Sequence, residues 1–185
     1  MKSLTRRSFV KSAASLSAGF MIIPNLKGYA PSKKLNLAFI GVGGRGGANL
    51  KGCARIDENG VAKHNVVALC DVSETRAAEG FKAFPKAKRF TDFRKMLDKM
   101  GKKIDAVVIT TPDHTHFAAA MHAMEMGKHV YVDKPLARNI WQLRTLKKAA
   151  KHYGVVNQLG NQGHTTNGIR LVKEWYEAGI LGEVK

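Results

Sequence analysis

From residue 35 onward the chain alternates short, unbroken apolar runs with longer stretches in which apolar residues recur every three or four positions. The runs at 35–40, 66–70, 105–110, 129–132 and 155–159, with a weaker one at 87–90, have the length and β-branched content of strands. The stretches at 46–56, 73–84, 92–100, 116–126, 139–153 and 166–178 have the periodicity of helices. Strands that are apolar at every position are buried on both faces, and strands separated by helices are joined by right-handed crossovers. The pattern therefore predicts an α/β fold, a doubly wound parallel sheet. No internal repeat or low-complexity tract interrupts it, and the one compositional break falls near residue 32.

The first strand runs into Gly41-Val42-Gly43-Gly44-Arg45-Gly46-Gly47, a G-x-G-x-x-G turn that opens directly into a helix. Gly41 suits the tight turn, Gly43 allows close backbone approach to a pyrophosphate, and Gly46 allows helix and strand to pack closely. The helix N-terminus offers free N–H groups to the anion, with Gly44 and Arg45 of the turn among the candidate cofactor contacts. The second strand ends in Asp71, 25 residues beyond Gly46. A carboxylate there can accept hydrogen bonds from the adenosine ribose hydroxyls and repels a 2′-phosphate, which favours NAD over NADP; Arg45 offsets part of that repulsion. The alternative is that Asp71 only caps the helix starting near Ser73. No G-x-x-x-x-G-K-[ST] loop and no G-x-S-x-G elbow occurs, so nucleotide triphosphatase and serine hydrolase chemistry lack their signatures.

Composition adds little to the fold and something to the address. With 44% hydrophobic and 24% charged residues the chain is of ordinary globular type, neither disordered nor collagen-like. Its net charge of +17 raises the question of nucleic acid. Seven basic residues and no acid fall in the first 34 positions, and the remaining +10 is dispersed, without a zinc-finger spacing or an arginine-rich run, so no nucleic-acid partner is expected. Two cysteines, Cys53 and Cys70, make no disulfide framework and read as small buried apolar side chains. His114, His116 and His122 lack a companion cysteine or second acid, and no metal site is expected.

Residues 5–11 read Thr-Arg-Arg-Ser-Phe-Val-Lys and precede a small, apolar stretch at 12–23 that is too short to span a membrane. This resembles the twin-arginine export signal, with Arg6 and Arg7 as its pair. The resemblance implies the twin-arginine machinery as a partner, a periplasmic location or a membrane anchor facing the periplasm, and a cofactor acquired before export.

The segments Thr111-Pro112-Asp113-His114-Thr115-His116 and Asp133-Lys134-Pro135 complete the picture. Together with the glycine turn they resemble the Gfo/Idh/MocA oxidoreductases over residues 35–185. The resemblance implies that Thr111, Pro112 and His116 end the fourth strand beside the cofactor and that Asp133, Lys134 and Pro135 stand for that family's Glu-Lys-Pro, with Asp one methylene shorter. Lys134 would then touch the substrate and handle the proton of the hydroxyl being oxidised, with Asp133 holding its charge; a plain surface ion pair is the alternative. By position Asn161 would face the nicotinamide, and Gln162 and His164 the substrate, unless that loop merely satisfies its own backbone.

The resemblance also implies a larger α/β domain after the Rossmann domain, through which family members often associate as homo-oligomers. The chain reaches only Gly179-Ile-Leu-Gly-Glu-Val-Lys185, so the expectation is a fragment: signal segment and linker at 1–34, dinucleotide-binding domain at 35–160, and a final helix with the start of the substrate domain at 161–185. The expected activity is NAD-dependent oxidation of a secondary hydroxyl of a sugar or cyclitol substrate. Two alternatives are a redox-neutral NAD-dependent glycosidase, against which Lys134 argues, and a non-catalytic nucleotide-binding fragment.

Overall fold

The computed structural model describes residues 34–54 and 63–183. The export signal with Arg6 and Arg7, and the end of the first predicted helix at 55–56, lie outside the described residues. The chain divides into Met1–Lys33 and Lys34–Lys185, and every element below belongs to the second unit.

Six strands, β1 (Asn36–Ile40), β2 (Asn65–Cys70), β3 (Lys88–Phe90), β4 (Ala106–Ile109), β5 (His129–Asp133) and β6 (Asn157–Gly160), form one parallel sheet in the order β3-β2-β1-β4-β5-β6. The helices are α1 (Arg45–Ala54), α2 (Glu74–Ala83), α3 (Phe93–Met100), α4 (Asp113–Glu125), α5 (Ile140–Tyr153) and α6 (Asn167–Glu177). This is the doubly wound arrangement expected from the pattern. The order reverses between β1 and β4, which opens a crevice beyond their carboxyl ends.

The apolar runs divide their residues between two cores. Ala38 and Ile40 of β1, Ala68 and Cys70 of β2, and Val107 and Ile109 of β4 face one core, filled by Met96, Leu97, Met124 and Leu146 of α3, α4 and α5. The alternate residues Leu37, Phe39, Leu69 and Val108 face the other, filled by Leu50 of α1 and by Ala77 and Phe81 of α2. Each fully buried Leu, Ile or Phe contributes about 1.5–3 kcal/mol, so the two central strands are anchored on both faces. Helix starts follow local chemistry: Ser73, Asp92 and Asn139 accept from the backbone N–H groups of Arg76, Arg94 and Gln142.

Two boundaries differ from the sequence expectation in ways that shape the site. Helix α4 begins at Asp113 rather than at residue 116, because Pro112 needs no N–H partner and the Asp113 charge favours the positive helix end. That puts His116 in the first turn, facing inward. Strand β5 extends through Asp133, which is buried at its end.

Candidate functional site

The carboxyl ends of β1, β2 and β4 surround a cavity of about 600 Å³ lined by Gly41, Gly43, Arg45, Asp71, Thr111 and Pro112 among others. Six of the residues singled out in the sequence thus converge. Gly41 has φ +82° and its N–H donates to the Cys70 carbonyl at 2.8 Å, so the turn starts tied to β2. A side chain there would be strained and would meet the Thr110 carbonyl. At Gly43 an added Cβ would stand 2.8 Å from the Arg76 carbonyl, so this glycine also lets the turn pack on α2. The N–H groups of Gly46 and Gly47 donate back to the Gly43 and Gly44 carbonyls. Those of Gly44 and Arg45 stand where α1 opens, at its positive end.

Asp71 does more than the sequence suggested. Its Oδ2 accepts from the N–H groups of Val42 at 2.9 Å and Gly43 at 3.3 Å, and its Oδ1 from the Ser73 N–H at 3.0 Å. One carboxylate therefore ties the glycine turn to the start of α2. With three of about four acceptor positions used, capacity for about one more donor remains. The cap of α2 is Ser73, not Asp71.

On the far side of the switch point the geometry corrects two expectations. The Asp133 carboxylate does not hold the Lys134 ammonium. Being one methylene shorter than Glu, it folds back to accept the Lys134 backbone N–H at 3.0 Å, and its other oxygen lies 3.5 Å from Arg45 Nε. The Lys134 side chain is exposed and forms no ion pair among the described residues. Arg45 is thus committed toward β5. His116, expected beside the cofactor, is only 1% exposed, with both ring nitrogens 2.7 Å from backbone carbonyls, those of Thr111 and Pro135. A ring so enclosed presents no nitrogen to a ligand.

Asn161, Gln162 and His164 follow β6, are exposed, and do not line the cavity. Three further residues went unnoticed in the sequence. Arg76 lines the cavity from α2, with the Ser73 cap three residues earlier as its signal; Val72 lines it while 87% exposed. Tyr131 lies against Gly160 together with Asp133, and burial, followed by the Asp133 charge, pushes its hydroxyl above the ordinary phenol range. Burial similarly pushes the Cys70 thiol up to about 12, which makes it inert. No group of three or more metal-ligating side chains occurs among the described residues.

Known proteins share this fold. The scyllo-inositol dehydrogenase of Lactobacillus casei, solved with bound NAD(H) and scyllo-inositol, superposes with a TM-score of 0.68 at 22% identity, over 82% of this chain and 43% of that one. An NAD-binding oxidoreductase of Klebsiella pneumoniae gives a TM-score of 0.64 at 30% identity, over 82% and 40%. Among sequences, the levoglucosan dehydrogenase of Pseudarthrobacter phenanthrenivorans is 29% identical over 63% of this chain and 29% of its own length. A glycosyl hydrolase family 109 protein of Shewanella pealeana is 29% identical over 98% of this chain and 44% of its own. The chain spans less than half the length of these relatives. Residues 35–161 match the family described as oxidoreductases with an NAD-binding Rossmann fold, and with that match the glycine turn, the strand order and the cavity at the switch point find one explanation: the chain belongs to the Gfo/Idh/MocA oxidoreductase family.

Proposed function

We propose that this chain carries the dinucleotide half of an exported NAD-dependent dehydrogenase that oxidises a secondary hydroxyl of a sugar or cyclitol. The observation that carries the reading is a cavity at the switch point, opened by the glycine turn, together with a lysine at the end of the neighbouring strand that forms no ion pair among the described residues. The residues present fit the cofactor: N–H groups at the opening of α1 suit a pyrophosphate, and the remaining capacity of Asp71 suits a ribose hydroxyl. When bound, NAD supplies the hydride acceptor. Asp71 opposes a 2′-phosphate, so NAD is the expected form. Lys134 would hydrogen-bond the substrate hydroxyl and take part in moving its proton, with Asp133 orienting the lysine through its amide. Asn161 would face the nicotinamide, and Gln162 and His164 the substrate.

The names of the relatives support a polyhydroxylated substrate: one is a levoglucosan dehydrogenase and another was solved with scyllo-inositol. The Arg6-Arg7 pair supports export by the twin-arginine route to the periplasm, and changing both to lysine should leave the protein in the cytoplasm. A second reading, redox-neutral glycoside cleavage, is supported by the family 109 relative aligned over 98% of the chain. The deciding experiment uses the natural protein. Lys134→Met should lower substrate-dependent NADH formation at least about a hundredfold while NADH still binds. Full activity in that variant removes Lys134 from the mechanism, and cleavage of a nitrophenyl glycoside without net NADH favours the second reading.

A further inference from the structure

The side chain of His116 lies between two carbonyl oxygens that belong to different turns. Nε2 is 2.7 Å from the Thr111 carbonyl, where β4 ends at the cavity wall, and Nδ1 is 2.7 Å from the Pro135 carbonyl, one residue beyond Lys134. The ring is 1% exposed. Carbonyl oxygens only accept hydrogen bonds, whereas a neutral imidazole has one N–H and one lone pair. A neutral ring would leave one of the two contacts as a lone pair facing a carbonyl, with no donor between them. The imidazolium donates at both ends, and both bonds are then charge-assisted. Two carbonyls cannot bond one another, so a donor at each ring nitrogen lets this side chain tie the two turns.

We infer that His116 is a positioning residue: as a doubly protonated imidazolium it ties the Thr111 and Pro135 carbonyls together and so sets where Lys134 stands relative to the cavity. Its role differs from the cofactor contact that its place after Thr111-Pro112 suggested. The inference about position rests on the reading of Lys134 as the proton-handling group; the inference about the ring does not.

Two measurements test it, one for each part. In the natural protein labelled with ¹⁵N-histidine at neutral pH, the His116 ring, assigned by its loss in His116→Gln, should show a proton bonded to each nitrogen. A single N–H with the other nitrogen unprotonated overturns the inference, whatever the activity. In steady-state kinetics, His116→Asn should lower kcat at least about tenfold with NADH affinity unchanged within about twofold, and His116→Gln, with two N–H groups on a longer arm, should recover part of the loss. In a Lys134→Met background the same substitution should cost less than about twofold, because a positioning residue acts through the group it positions. An equal loss in both backgrounds, or an unchanged kcat, overturns the positioning role. Undiminished activity of Lys134→Met itself refutes the assigned chemistry and leaves the ring's protonation state as found by the first measurement.

Discussion

The two sides of the switch point are held together by different means. Around the cavity, between β2, β1 and β4, the backbone N–H groups of one glycine turn make the contacts: Gly41 to the Cys70 carbonyl, Val42 and Gly43 to the Asp71 carboxylate, with the turn packed against α2 at Gly43. Beyond β5 side chains from other elements reach in, Arg45 to Asp133 and His116 to the Pro135 carbonyl, while Asp133 also accepts from the Lys134 amide. Lys134, Asn161, Gln162 and His164 themselves are exposed. Backbone amides make a rigid, unspecialised cradle for a group such as a pyrophosphate, while selectivity among ligands rests on side chains.

Substitutions at two glycines should break the comparison most sharply. Gly43→Ala places a methyl against the Arg76 backbone and should cost about 1–3 kcal/mol, with NADH affinity falling at least about tenfold. Gly163→Ala, in the loop after β6, has open space and should stay within about 0.5 kcal/mol. Thermal melts and NADH fluorescence titrations read both, and equal effects would erase the distinction. Next in size, Asp71→Ala strips three N–H groups of their acceptor and should cost about 1–2 kcal/mol while relaxing the proposed preference for NAD over NADP. An unchanged NAD/NADP ratio would leave Asp71 with its structural role alone.

On the lysine side, Arg45→Ala should cost less than about 1 kcal/mol, since its partner contact is long and Arg45 is half exposed. A larger loss, measured by denaturant unfolding, would make that side as rigid as the cavity. The smallest effect lies away from both. Arg94, through its side chain and its amide, lowers the Asp92 carboxyl from the ordinary 3.8 to about 2. A depressed carboxylate stabilises the fold above its unfolded value and loses that contribution as the pH falls from about 4 toward 2. The melting-temperature gap between wild type and Asp92→Asn should therefore narrow from about pH 5 to about pH 3, and a gap that is flat with pH would show the cap to be idle.

Much of this molecule was legible one residue at a time. The central strands followed from their apolar runs because burial on two faces demands apolar residues there, while the edge strands β3 and β6 carry polar residues and were less sharply marked. The glycine turn was legible because its glycines stand where side chains would collide with Thr110 or Arg76. Arg45 and Asp133, by contrast, are 88 positions apart, and the sequence paired Asp133 with its neighbour Lys134 instead. His116 was misplaced for a related reason: its motif put it near the cofactor, but the helix start at Asp113 turned it toward Pro135.

The sequence by itself determined the alternation of strands and helices, the dinucleotide turn and the family, since each is written in local spacing and residue type. Only the tertiary structure decided which carboxylate meets which cation, that Asp133 takes the Lys134 amide and not its ammonium, and that His116 lies between two carbonyls. Those choices depend on how parallel strands bring distant turns together at their carboxyl ends, and a hydrogen bond forms or fails over a few tenths of an ångström that no linear pattern encodes.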